Sequence, residues 1–176
     1  MRLRLTRRLT GLVFCAALLA SLAAPAGAAE TALRGEEQAR YLAELKRLYL
    51  TADERQALLA HSNDLLKTYA LRAAYQIGQP ARHDLLYQLS LGGPGELLLR
   101  EESRAEQGTA VAVRNQRLSV FGLDPFIRYD CPPNGIACVL HNPADGSPWL
   151  RILRDHDGAA ELAKALSFLI RNLQKG

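Results

Sequence analysis

The chain has 176 residues, 48% of them hydrophobic, with 22 Lys plus Arg against 18 Asp plus Glu. Four basic residues, Arg2, Arg4, Arg7 and Arg8, fall in the first 28 positions, which hold no acid, so the remainder carries 18 of each sign. A charge-balanced body with mixed signs has no electrostatic footprint for nucleic acid or an anionic membrane, which excludes both as primary partners.

The first 28 residues read as a targeting segment. MRLRLTRR is basic, Leu9 to Ala23 is an apolar or small-residue run, and Ala26-Gly27-Ala28 has A-x-A form. These three parts predict a secretory signal peptide over residues 1–28, removed from the mature chain. The apolar run is about fifteen residues, short of the roughly 20 that a spanning helix needs. No later run approaches that length, so no integral membrane span is expected after cleavage. Phe14 before Cys15 and apolar residues after it disfavour a lipid-anchored cysteine, so Cys15 leaves with the leader. Residues 29–176 suffice for a single domain with its own core. Arginine outnumbers lysine eighteen to four. With the leader, this bias points to a Gram-negative bacterium and places the protein in the periplasm or secreted beyond it.

From Glu36 to Leu50, Leu42, Leu45, Leu48 and Tyr49 recur at the spacing of one helix face. Thr51-Ala-Asp-Glu54 has capping-box form and predicts a second helix. Leu58, Leu59, Leu65, Leu66, Tyr69, Ala73 and Ile77 give it an apolar stripe, and Gly78 and Pro80 supply its stop. The piece His83–Leu91 fits two helical turns or a strand, since nine residues of periodicity do not decide. Gly92-Gly93-Pro94-Gly95 is a break. Beyond it come six β-prone runs, at 95–103, 109–114, 117–121, 125–131, 136–141 and 149–154, separated by turn compositions. An amphipathic helix is predicted over 157–175, with Leu162, Ala165, Leu166, Leu169 and Leu173 as its stripe. The implied fold is α+β: residues 29–91 mainly helical, 96–154 an antiparallel β-meander of about four to six strands, and the C-terminal helix packed on that sheet. The alternative is a helical hairpin hinged at Gly92–Gly95 and followed by a βα unit.

Four groups of residues bear on chemistry. Cys131 and Cys138 flank Pro-Pro-Asn-Gly turn chemistry, and in an oxidising compartment they are expected to pair. Closing that eight-residue loop restricts the unfolded chain by roughly 2.5 kcal/mol. A redox role favours C-x-x-C at a helix start, and a zinc site needs two further ligands; this spacing offers neither. Asp155, His156 and Asp157 form an acid–His–acid triplet, with His141 and Asp145 in the preceding turn. Such a set can ligate a metal, but acids at a helix start also cap it, and Asp157 is the expected cap with Glu161 in the first turn. Ser103, Ser119, Ser147 and Ser167 lack any nucleophile motif. Glu96, Glu101 and Glu102 share a strand with Arg100 and Arg104, which reads as a solvated face, since the paired carboxylates of a glycosidase need a cleft. Six tyrosines, Tyr41, Tyr49, Tyr69, Tyr75, Tyr87 and Tyr129, suit the core margin or a groove.

The resulting expectation is an exported protein that works by binding another envelope or extracellular protein, with no cofactor. The competing expectation is a small envelope hydrolase or metal-dependent enzyme built on His141, Asp155, His156 and Asp157. A third is a carrier with an apolar groove.

Overall fold

The computed structural model describes residues 26–176. The expected leader, Cys15 included, lies outside the described residues apart from its last three positions, which begin the first helix. Residues 37–176 form one compact unit. No helix among the described residues is long and apolar enough to cross a membrane.

Helix α1 spans Ala26–Leu48 and α2 spans Glu54–Thr68. From residue 37 onward α1 buries Leu42 and Leu45, while Leu48, expected on the same face, is exposed. The chain leaves α1 through Leu50, whose φ of 51° is left-handed, and the Thr51 N–H donates to the Lys46 carbonyl at 3.1 Å. The cap of α2 is Asp53, not Thr51. Its carboxylate accepts from the N–H groups of Arg55 and Gln56, while the Thr51 hydroxyl accepts from the Asp53 N–H and donates to Gln56. Glu54 faces Lys46 at 3.6 Å instead of reaching back to close a box.

Helix α2 also stops earlier than its stripe predicts, at Thr68. Ala70 forms a β-bridge with Ile152, and Leu71 forms one with Leu85. Ala73–Tyr75 is a single 3-10 turn, fixed where the Asp84 carboxylate accepts the Ala73 N–H at 2.8 Å. Tertiary backbone pairing has overridden a helical spacing.

Strands β1 (His83–Leu91), β2 (Glu96–Ala105) and β3 (Val111–Ser119) form one antiparallel sheet in that order. The undecided segment 83–91 is therefore a strand. The two runs at 109–114 and 117–121 are one strand, because Asn115 and Gln116 stay in register with Arg100 and Leu99. Strands β4 (Tyr129–Asp130), β5 (Ala137–His141) and β6 (Pro148–Leu153) form a second antiparallel sheet. The expected meander of four to six strands is thus two three-stranded sheets. Ala70 and Leu71 lie between them: the Leu153 N–H donates to the Tyr69 carbonyl and the Leu85 N–H to the Leu71 carbonyl.

Helix α3, His156–Leu173, buries Leu162, Ala165, Leu166, Leu169 and Leu173, the stripe expected of it. It packs on α2 and on β4 and β5. Its N-cap is Asp155, which accepts the Gly158 N–H at 2.7 Å; the expected cap, Asp157, is exposed in the first turn. Gly158 is buried against the ring of Tyr69, where a Cβ would meet ring carbons at 2.5 Å. The main core, including Leu58, Leu89, Leu97, Leu99, Leu140, Leu150, Ile152 and Leu166, runs between the helices and both sheets.

Candidate functional site

A concavity forms where the loop after β3 meets the β4–β5–β6 sheet. Ile127 is buried and its N–H donates to the Ser167 hydroxyl of α3 at 3.0 Å. Anchoring Ile127 turns its neighbours outward: Phe126 is 64% exposed and Arg128 is exposed. The Phe126 N–H donates to the Asp124 carboxylate at 3.0 Å, which holds the loop. The Arg128 carbonyl accepts the His141 N–H at 2.9 Å, extending the β4–β5 ladder by one pair. The result is a cleft of about 490 Å³ walled by Phe126, Arg128, Tyr129, Asp130 and His141. A smaller hollow of about 250 Å³ shares Phe126, Arg128 and His141 and adds Asp124, Asn142 and Pro143.

The turn from β5 to β6 shapes the cleft's far lip. Asn142 pairs through its backbone with Ser147 and Gly146, and Gly146 adopts a φ of 74° that few other residues accept. Its carbonyl then faces His141 Nδ1 at 3.0 Å, while His141 Nε2 lies 2.7 Å from Asp130 Oδ2. Both ring nitrogens thus face acceptor oxygens, and the ring is tied at both ends. Asp145 holds the same turn by accepting the Ser147 N–H and hydroxyl, and these bonds lower its carboxyl below the usual range.

His141 therefore meets Asp130 and not the triplet predicted from sequence. It pairs with Pro148 at one end of the β5–β6 hairpin, whereas the Arg154 N–H closes the other end on the Ile136 carbonyl. The length of β6, about 17 Å at 3.3 Å per residue, separates His141 from Asp155, His156 and Asp157. Asp155 is committed to capping α3, and His156 and Asp157 are exposed on its first turn. Among the described residues, no group of three or more His, Cys, Asp or Glu is placed to hold a metal ion.

Beside the cleft, the Cys131 and Cys138 sulfurs lie at bonding distance, 1.89 Å, across the turn that joins β4 to β5. The Gly135 N–H donates to the Pro132 carbonyl inside that turn.

A second polar cluster ties the three helices together. His61 of α2 lies 3.1 Å from Glu161 Oε1 of α3 and 3.2 Å from the hydroxyl of Tyr49, just past α1. Tyr41 of α1 donates to the same Glu161 oxygen at 2.7 Å, and Tyr49 donates to Asp64 at 2.9 Å. The His61 contact, then Tyr41 and Lys164, hold the Glu161 carboxyl below its ordinary range against the opposing effect of burial. Burial and the bond to Asp64 push Tyr49 up to about 12, and burial with the Glu161 bond raises Tyr41 further. Lys164 sits over the Tyr41 ring at 4.1 Å. Sequence reasoning missed this cluster because its members belong to three elements and form no local motif. The tyrosines do not share one groove: Tyr129 lines the main cleft, Tyr87 takes the Arg151 N–H elsewhere, and Tyr75 is exposed.

No family model, curated protein or solved structure matches the chain.

Proposed function

We propose that this is an exported bacterial protein that works by binding a segment of another envelope or extracellular protein in the Phe126–Arg128 cleft. The observation that carries the reading is the pairing of an exposed aromatic ring with an exposed guanidinium on one lip. Phe126 stands 64% exposed, and Arg128 is exposed beside it on the same lip. Aromatic and arginine side chains of this kind carry a disproportionate share of binding energy at interfaces. The chemistry favours a segment that offers an apolar side chain beside a carboxylate. The leader read from residues 1–28 and the Cys131–Cys138 pair support an oxidising compartment.

The test immobilises the wild type and a Phe126→Ser/Arg128→Glu variant, both checked for native circular dichroism, and exposes each to envelope extract and culture supernatant. A species retained by the wild type and lost by the variant is expected. Equal retention by both, or none by either, would sink the proposal.

A further inference from the structure

We infer that two copies of the chain pair edge to edge through β3, antiparallel, about a two-fold axis at Asn115. The inference concerns the first sheet and is independent of the cleft.

The first sheet has one open edge. On the β1 side, Leu71 bridges Leu85, and the Asn63 side chain of α2 donates to the Leu89 carbonyl and accepts the Leu89 N–H. That edge is closed. β3 lies at the other end of the sheet order and pairs with β2 alone. It is nine residues long and every residue but Gln116 and Leu118 is exposed, with Val111 and Val113 at 48% and 46%. A strand edge of this kind presents unpaired N–H and C=O groups that template a further strand.

The phase of the ladder says which groups are free. The Val120 N–H donates to the Gly95 carbonyl at 2.8 Å, so Gly95 and Val120 form a hydrogen-bonded pair. Such pairs alternate along an antiparallel ladder. In the observed register Ala112, Arg114, Gln116 and Leu118 therefore bond inward to β2. Val111, Val113, Asn115, Arg117 and Ser119 direct their backbone groups outward.

A two-fold axis at Asn115 sets outward residues against outward residues over the whole strand. Val111 then faces Ser119, Val113 faces Arg117, and Asn115 faces itself. On the other side of the pleat Ala112 faces Leu118 and Arg114 faces Gln116. No like charges stand opposite, an arrangement that would cost stability. Moving the axis to Arg117 sets arginine directly against arginine, and moving it to Val113 shortens the overlap. Charged side chains normally guard an edge, but here the sheet's own carboxylates offset them: Arg114 lies 2.7 Å from Glu101 and Arg117 lies 3.6 Å from Glu96. The strand is thus complementary in length and phase to a second copy of itself, with no like charges directly opposed.

Protein expressed from the full reading frame and purified from the soluble fraction is followed by sedimentation equilibrium and by amide hydrogen exchange. A reversible monomer–dimer equilibrium is expected. The amides of Val111, Val113, Asn115, Arg117 and Ser119 should gain protection as concentration rises, while those of Ala112, Arg114 and Gln116 stay constant. Val113→Glu, which faces Arg117 of the second copy, should tighten the dimer by about threefold to tenfold across its two symmetric pairs. Val113→Lys should weaken it by a similar factor. Asn115→Pro deletes only an outward N–H, which an edge strand tolerates, and should abolish the dimer while leaving the monomer's melting unchanged. If it fails to fold, the two Val113 variants decide. A wild type monomeric up to about 1 mM, or a dimer indifferent to the charge at position 113, overturns the inference. A monomer whose odd-numbered β3 amides become protected only when extract is added also overturns it, in favour of a foreign strand.

Discussion

Gly158→Ala offers the sharpest test of the packing described above, because helix propensity and local geometry predict opposite signs. In an unencumbered helix the change gains about 1 kcal/mol. Here the new Cβ would lie 2.5–2.6 Å from three ring carbons of Tyr69, whereas carbon atoms in good contact sit about 3.5–4.0 Å apart. The ring must retreat by roughly 1 Å. Its backbone resists, since the Tyr69 carbonyl holds the Leu153 N–H at 2.8 Å and Ala70 is bridged to Ile152. Overpacking of this kind costs about 1–3 kcal/mol, so the net effect is a loss near 1 kcal/mol, or about 2–4 °C in Tm for a domain of this size. The assay is urea and thermal unfolding in the wild-type and Tyr69→Ala backgrounds. With the ring removed, Gly158→Ala should become stabilising, a coupling of about 2 kcal/mol. An increase in Tm in the wild-type background, or the same loss in both, refutes the reasoning.

Four further outcomes are expected. Asp155→Ala should lower stability by about 1 kcal/mol through loss of the α3 cap, with Asp157→Ala changing it far less; reversal of that order in thermal melts would contradict the capping geometry. Leu50→Gly should raise stability by about 0.5–1 kcal/mol, because the side chain is 93% exposed and the left-handed conformation costs a leucine more than ordering costs a glycine; a fall in Tm would instead mean that the leucine is held by something in solution. The Glu161 carboxyl is depressed in the folded state by His61 and Tyr41, so its stabilising contribution is complete above the ordinary carboxylate pKa of about 4.3 and is lost as pH falls through the lower folded value. Melting between about pH 5 and pH 3 should therefore show a shallower decline in Glu161→Gln than in the wild type. Intact mass spectrometry without reductant should find one intramolecular disulfide, and the Cys131→Ser/Cys138→Ser pair should lose about 2.5 kcal/mol; two free thiols would defeat that expectation.

What could be read from the chain was whatever is encoded within one turn or one strand. The α3 stripe was legible because Leu162, Leu166, Leu169 and Leu173 repeat at helical spacing and face one core. The cysteine pair was legible because seven positions and a Pro-Pro-Asn-Gly turn set the geometry locally. The end of α2 was not, since Ala70 leaves the helix to pair with Ile152 and spacing carries no trace of so distant a partner. β1 lay between: nine residues fit either state, and pairing of Leu89 with Leu99 decided it. The same limit governed the site. His141 was visible as a candidate, but register, not proximity in sequence, gave it Asp130. His61 and Glu161 stand 100 positions apart and meet only through the packing of α2 on α3. A cap at the start of α3 was foreseeable from its acids, but which aspartate supplies it depends on the first helical residue, which sequence places only within a residue or two.

The Ala70–Leu71 junction has a consequence for the order of folding. Leu71 finds Leu85 within a short loop, but Ala70 must wait for Ile152, nearly half the chain later. The two sheets therefore join only when residues close to the C-terminus have been made. Closing so long a loop is entropically slow, and until then the emerging chain holds its first sheet without its final neighbour.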